Sequence, residues 1–381
     1  MKYRKFGRAD FKISALSLGV LQLHQIAENR FGEEERSLTG LIRRAIDGGV
    51  NYIDMGFGYD AGSLDSVFNE IADALSGGYR ERVRVAVNLP CARAVSLADL
   101  DGFLRQQAMW FNLDVIDYCI LDGLDRNTWP KLKELGITEW IGSSLAEEKF
   151  SEIGFSFHDD AFYLRDIITA YEHWSHCVMQ FSFMDTSHHP GVGGMKFAAE
   201  RQLPVIVINP LKGGWLVKGV PDSVAGDIGS WTEAGTLTEW YMRSVWDHSE
   251  VTSVTGDIDT IRQLEQALTL ADGDASEPGN LTVMEKLKLN RIRDAYRALR
   301  PVYCTACRCC KPCPNGVDFV RLFEIYNDAV MYGDKETARL LYKIEGHDIY
   351  ACNGCGFCLK TCPKGFQIPQ VLEDAKKILE V

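Results

Sequence analysis

Two cysteine runs near the C-terminal end carry the clearest chemistry in the chain. The first is Cys304-x2-Cys307-x2-Cys310-x2-Cys313-Pro314, and the second is Cys352-x2-Cys355-x2-Cys358-x3-Cys362-Pro363. Thiolates spaced by two residues can wrap a turn of backbone round a cubane and reach three of its irons. The fourth Cys, just before Pro, points away and serves the neighbouring cluster. The spacing therefore assigns Cys304, Cys307, Cys310 and Cys362 to one 4Fe–4S cluster, and Cys352, Cys355, Cys358 and Cys313 to a second. CxxC pairs also hold structural zinc, which is the competing reading. Four evenly spaced thiolates ending in Cys-Pro, twice over, favour iron and sulfide. Cys309 breaks the spacing and is expected to be a buried spectator.

Polar residues in the N-terminal part form a second group with chemical potential. Asp54, Tyr59, Asn88 and Asp122 each fall at or just beyond the end of an apolar run that reads as a strand. Two carboxylates facing one another without a cation should not both stay ionised, so one of Asp54 and Asp122 is expected to titrate high and act as an acid.

Such groups need a scaffold, and the apolar pattern supplies one. A hairpin pattern occupies residues 3–20, split at Gly7-Arg8-Ala9-Asp10. Strand runs follow at Leu16–Val20, Asn51–Met55, Val83–Leu89, Ile116–Asp122, Glu152–Phe157, Cys177–Ser182, Val205–Asn209 and Val251–Gly256. Helical periods separate them, among them Glu33–Asp47, Leu64–Leu75, Leu97–Phe111, Asp160–Tyr171, Gly194–Glu200, Leu237–Trp246 and Thr260–Leu270. Eight such β/α units over about 270 residues predict a closed (β/α)8 TIM barrel, an α/β fold. A doubly wound sheet would want a Gly-rich phosphate loop after its first strand, and none is present. The acidic, aperiodic stretch Ala271–Asn280 places a boundary there, giving a barrel over 1–272 and a second domain over 273–381. The second domain reads as all-α: helices at Met284–Leu299, Asp318–Met331 and Lys335–Ile344 flank or separate the Cys runs, and Pro369–Leu379 forms a last amphipathic helix. That is more helix than a minimal ferredoxin carries, so a helical ferredoxin-like domain is expected.

Composition limits the partners. The 381 residues are 46% apolar and 25% charged, ordinary values for a globular protein. A net charge of −12 argues against nucleic acid and anionic membrane. No apolar run approaches a membrane span, and MKYRKFGRAD is not followed by the apolar segment of a signal peptide. Twelve cysteines in that setting point to metal ligation in a cytoplasmic, anaerobic protein; Cys91, Cys119 and Cys177 lie in apolar runs as small hydrophobes.

VNYIDMGFGY (50–59), GFSFHD (154–159), INPLKGG (208–214) and the Cys runs together resemble the aldo/keto reductases with a C-terminal iron–sulfur extension. The resemblance covers nearly the whole chain. It implies a proton-donor set of an Asp, a Tyr five residues later, a Lys ending the third strand and a His ending the fourth. Asp54 and Tyr59 match; Asn88 stands at the Lys position in AVNLP, and Asp122 at the His position in YCILDGL. A Tyr hydroxyl titrates near 10, and an adjacent ammonium makes it a better acid. Asn88 supplies no such charge, so family-type carbonyl reduction is altered while acid chemistry remains. For NAD(P)H, the resemblance implies that Ser156 and Gln180 hold the carboxamide and that Leu211, Lys212 and Gly213 face the pyrophosphate. Ile208 stands where many relatives stack a Tyr. Asp257 and Asp259 sit where a 2′-phosphate would need cations, with Arg262 nearby, which favours NAD over NADP. His188-His189 reads as a surface loop; Trp129, Trp140, Trp215 and Trp231 fall in loops or poorly periodic stretches, where Trp129 and Trp215 either wall a hydrophobic pocket or pack in the core.

Two functions follow as expectations. One is an oxidoreductase acting on a small organic substrate, with electrons passing through the clusters and a ferredoxin or flavoprotein as redox partner. Nicotinamides deliver electron pairs whereas the clusters take single electrons, and no flavin motif is present. The alternative is a non-catalytic barrel that docks and passes electrons to a partner enzyme.

Overall fold

A computed structural model of the chain describes every residue except 9, 21–36, 59–63, 187–189, 229–235, 257, 259–260, 311 and 380–381. Its first compact unit comprises Met1–Gly213 and Thr238–Thr282; its second comprises Gly214–Leu237 and Val283–Val381.

The first unit opens with a hairpin, β1 (Tyr3–Lys5) antiparallel to β2 (Lys12–Ser14), with Tyr3 opposite Ser14. Eight parallel strands then close a barrel: β3 (Leu16–Gly19), β4 (Tyr52–Asp54), β5 (Arg84–Pro90), β6 (Tyr118–Leu124), β7 (Glu152–Phe157), β8 (Cys177–Gln180), β9 (Val205–Ile208) and β10 (Val251–Gly256). β10 pairs back onto β3 to complete it. The (β/α)8 barrel expected from the sequence is therefore present. Successive strand residues point to opposite faces, and the burial follows that period. Ile53, Val85, Val87, Leu89, Cys119, Leu121, Ile153, Phe155 and Phe157 belong to the large core between strands and helices. Tyr52, Ala86, Tyr118, Ile120, Val178 and Ile206 pack together inside the barrel with Phe6 and Ile13 of the hairpin.

This inner core lies at the starts of the strands, so the hairpin plugs that end. Buried among it is His176. Tyr52 Oη lies 2.9 Å from His176 Nε2, Ser175 Oγ lies 2.9 Å from His176 Nδ1, and Ser175 Oγ donates to the Ile153 carbonyl at 2.8 Å. Because Ser175 spends its hydrogen on Ile153, it must accept from Nδ1–H, and Nε2 accepts from Tyr52. The ring is neutral, and burial pushes its pKa down to about 3. Gly154 makes room for it, since a Cβ there would lie 2.9 Å from the His176 ring and carbonyl.

Between β6 and β7 the chain forms two helices absent from the expected set, Thr128–Glu134 and Ile137–Ala146. They bury Trp129, Leu132, Ile137, Trp140 and Ile141. Gly136, at φ 84°, breaks the period between them and hides it in the sequence. Trp129 and Trp140 lie in these helices and are buried, and Trp215 begins a helical turn, Trp215–Lys218, and is buried too, so core packing is the alternative that Trp129 and Trp215 follow. Trp231, His188 and His189 lie outside the described residues.

The second unit is helical, with main helices Val283–Ala298, Phe319–Met331, Lys335–Ile344 and Ile368–Leu379. Asp318 and Asp334 cap two of them, accepting from Arg321 N at 3.2 Å and Thr337 N at 3.0 Å. The terminal helix packs on the helices Phe319–Met331 and Lys335–Ile344 and buries Ile368, Leu372, Ala375 and Leu379. Among the described residues no helix is long and apolar enough to cross a membrane.

Candidate functional site

The inward row of the barrel continues past its apolar plug. Two residues beyond Tyr52 stands Asp54; beyond Ala86, Asn88; beyond Ile120, Asp122; beyond Gly154, Ser156; beyond Val178, Gln180; beyond Ile206, Ile208. The strand period thus lines the C-terminal mouth, where barrel enzymes place their chemistry, with five polar side chains and one apolar one. Tyr59 lies outside the described residues.

Asp54 and Asn88 meet directly. Asn88 Nδ2 donates to Asp54 Oδ1 at 2.8 Å, and Gly56 N donates to the same oxygen at 2.9 Å. Burial pushes the Asp54 carboxyl up to about 6; the Asp122 charge adds to the rise, and the two donors oppose it. Asn88 Oδ1 is buried and has no hydrogen-bond partner among the described residues. Holding Asn88 from behind is Gln107, fully buried on the helix Leu97–Trp110. Its Oε1 accepts from Asn88 N at 3.2 Å and its Nε2 donates to Asn88 O at 2.7 Å. The carboxamide stands in for a neighbouring strand. Sequence reasoning missed Gln107, although a signal was there: it continues the buried stripe Leu100, Leu104 of its helix, where a polar side chain needs a partner.

Asp122 and Ser156 form the other half of the mouth. The β6–β7 register slips between Leu121 and Leu124, and Gly123 at φ 72° takes up the extra residue. A bulge of this kind re-aims a side chain. Here Ser156 Oγ donates to Asp122 Oδ1 at 2.6 Å and accepts from Gly123 N at 2.7 Å. The hydroxyl hydrogen of Ser156 is therefore committed, which leaves one lone pair for a ligand donor such as a carboxamide NH2. Gln180 ends β8 with an exposed side chain.

The loop after β9 is internally tied. Asn209 Oδ1 accepts from Gly213 N at 2.5 Å, and Lys212 Nζ lies 3.5 Å from Asp185 Oδ1. Asn209, Lys212 and Gly213 all have positive φ. A pyrophosphate would meet a turn with left-handed residues and one lysine already facing a carboxylate. Leu211 packs against the barrel core; Arg262 is exposed, and Asp257 and Asp259 lie outside the described residues.

The fold is shared with aldo-keto reductases. Over 77% of this chain the structure matches one from Bacillus halodurans in its holo form, covering 96% of that chain at 18% identity and TM-score 0.60. It also matches one from Klebsiella pneumoniae in complex with NADPH, covering 95% of that chain at 17% identity and TM-score 0.56. A thermostable aldo-keto reductase in complex with the inhibitor epalrestat is covered completely, at 16% identity and TM-score 0.58. No family model matches the chain.

In the second unit the cysteines line two hollows. Cys304, Cys307, Cys310 and Cys362 line one, with Thr305, Phe319, Val320, Phe323, Phe366 and Ile368 as much of its wall. Cys313, Cys352, Cys355 and Cys358 line the other, and Phe319 is common to both. Each set takes three cysteines from one run and the Cys-Pro cysteine from the other. Positive φ at Ala306, Arg308, Gly354 and Gly356 turns the backbone between the cysteines. Ala306 N donates to Cys304 Sγ at 3.4 Å. Among the described residues no three His, Cys, Asp or Glu side chains converge tightly enough to ligate one ion. A cubane takes one thiolate per iron and so spreads its ligands around a volume. The two Cys runs with their flanks, residues 300–317 and 349–370, contain Arg300, Arg308, Lys311, Lys360 and Lys364 and no carboxylate. Cys309 is exposed, contrary to the buried position expected of it, because it lies on the outer side of the Cys307–Cys310 turn.

Proposed function

We propose that the chain is an iron–sulfur oxidoreductase of the aldo-keto reductase type. Its barrel mouth acts on a small organic substrate, and its eight cysteines hold two 4Fe–4S clusters. The observation that carries the reading is the crossed pairing of the two quartets around separate hollows. Two hollows, each lined by four thiols and apolar side chains with no carboxylate in the lining, suit a 4Fe–4S centre, whose four thiolates make its net charge negative. Such groups supply one-electron transfer when bound.

At the mouth, the chain's own residues handle protons. An Asp54 carboxyl near 6 exchanges a proton readily at neutral pH. Asn88, clamped by Gln107, fixes the orientation of that carboxyl. Asp122 turns the Ser156 hydroxyl and keeps a second acceptor at the rim. Tyr59, at the spacing of the family's acid, completes the proposed set. Ser156, Gln180, Leu211, Lys212, Gly213 and Arg262 are the proposed contacts to NAD(P)H, the cofactor class of the Klebsiella relative. A one-electron carrier, ferredoxin or flavoprotein, is the proposed redox partner in a cytoplasmic setting.

Purification without oxygen should give about eight irons and eight sulfides per chain. Anaerobic titration with NADH and NADPH should quench nicotinamide fluorescence or bleach the visible absorption. Zinc in place of iron would overturn the cluster assignment. Specific observations favour a second reading, a docking barrel without catalysis: the Ser156 hydrogen is bound to Asp122, and Lys212 faces Asp185. Loaded clusters with silence from both nicotinamides and no substrate turnover would select it.

A further inference from the structure

The two cysteine hollows differ in what surrounds the thiols. Arg308 and Lys364 line the hollow of Cys304, Cys307, Cys310 and Cys362. The hollow of Cys313, Cys352, Cys355 and Cys358 is walled by Pro314, Asn315, Phe319, Phe357, Pro369 and glycine backbone, with no charged side chain among its lining residues. Arg308 is also anomalous in two respects. Its Nε is buried without a hydrogen-bond partner among the described residues. Its backbone lies at φ 58°, a region that favours glycine. A buried guanidinium N–H left unpaired is costly, so the arrangement makes sense if a group in the hollow accepts from it. The backbone follows the same bias. Ala306 N already points at Cys304 Sγ, whereas in the other loop Cys355 N donates to Asn353 Oδ1 at 3.1 Å.

We propose that Arg308 donates from Nε to a sulfur of the centre held by Cys304, Cys307, Cys310 and Cys362. With Lys364, it holds that centre at a higher reduction potential than the centre held by Cys313, Cys352, Cys355 and Cys358. The inference rests on the two-cluster reading. One-electron reduction adds one negative charge and needs no proton. A cation and its N–H donors beside one centre stabilise its reduced form, while no charged side chain lines the other hollow. Because Phe319 walls both hollows, an electron entering at either has a neighbouring place of different affinity. It comes to rest beside Arg308.

The test is a mediated redox titration of the full chain, purified without oxygen and reduced stepwise with dithionite. Each centre is followed by electron paramagnetic resonance, with iron and sulfide assayed on the same sample. The unaltered protein should show two one-electron steps at unequal midpoints, and Cys355→Ser should retain the higher. Arg308→Met should keep full iron and sulfide while lowering the higher midpoint alone. At fixed potential its reduced-to-oxidised ratio should fall about tenfold, about 59 mV for one electron. Arg308→Lys, which keeps the charge but not that N–H, should fall less. Loaded centres with coincident midpoints, or a shift shared by both or confined to the lower one, would overturn the inference while leaving the two-cluster reading standing. Absence of iron and sulfide from the unaltered protein would remove both. Should Arg308→Met fail to load, the unaltered midpoints and Arg308→Lys still decide: two unequal midpoints with the higher one lowered support the inference, and anything else sinks it.

Discussion

Asp54 is kept at the barrel mouth at the expense of stability, and replacing it should show how much. Its carboxyl titrates near 3.8 in the unfolded chain and at about 6 in the folded one, chiefly through burial. A raised folded value means that the folded state binds the proton more tightly. The stabilisation is therefore complete below pH 3.8 and is lost as pH rises through 6. The shift of about two units corresponds to roughly 3 kcal/mol at pH 7 and about 0.5 kcal/mol at pH 4. Asp54→Asn keeps the shape and leaves an oxygen to accept from Gly56 N and Asn88 Nδ2, but it cannot ionise. The variant should be more stable than the native chain at pH 7, and that advantage should shrink by about 2–2.5 kcal/mol at pH 4. Anaerobic urea unfolding at several pH values, followed by tryptophan fluorescence, measures the difference while other titrating groups cancel. An advantage that does not change between pH 4 and 7 would show that Asp54 titrates normally, and the proton-exchange role would lose its basis.

The buried ring of His176 should give the opposite slope: its folded value near 3 lies below 6.5, so its stabilisation is present above pH 6.5 and drains as pH falls. His176→Gln should be less stable than the native chain at pH 7, with the gap narrowing by about 2 kcal/mol by pH 5; a constant gap in the same urea assay would contradict a neutral buried ring. Gln107→Leu should free the backbone of Asn88 and lower stability by about 1–3 kcal/mol. Gln107→Glu, which keeps one acceptor, should recover part of that loss, and hydrogen exchange at Asn88 N–H reports whether the clamp was holding it. Cys362→Ser should damage the centre of Cys304, Cys307 and Cys310, distant in sequence, and spare the centre nearest it in the chain; loss confined to Cys352, Cys355 and Cys358 in the resonance spectrum would refute the crossing.

The parts of the molecule governed by short-range periodicity were readable beforehand. β7 and β10 begin and end where the apolar runs do, because strand length is set by the local alternation that also fixes which side chain faces in. The two cysteine sets read from the spacing are the sets that line the two hollows, three from one run and the Cys-Pro cysteine from the other. What stayed hidden depends on contacts distant in sequence. Nothing local tells that Gln107 closes on Asn88, or that Ser156 gives its hydrogen to Asp122 across a bulge. The helices Thr128–Glu134 and Ile137–Ala146 escaped because Gly136 divides one buried stripe into two pieces, each too short to show its period. The positions of Asp54 and Asp122 at strand ends were legible, whereas their separate partners, Asn88 and Ser156, and the dominance of burial at Asp54 needed the fold.

The segment Gly214–Leu237 belongs with the C-terminal compact unit although barrel sequence flanks it on both sides. During synthesis this segment leaves the ribosome before the 144 residues from 238 to 381 have been made. At roughly 5–20 residues per second, its helices Trp215–Lys218 and Asp222–Ile228 wait about 3–12 s for the helix Val283–Ala298, against which Asp222–Ile228 packs. Trp215, Leu216 and Val224, buried in the finished protein, stand open to chaperones or to other nascent chains throughout that interval. The vulnerable interval in the making of this protein therefore comes before residue 298 has been added, and depleting cells of chaperones should lower its yield.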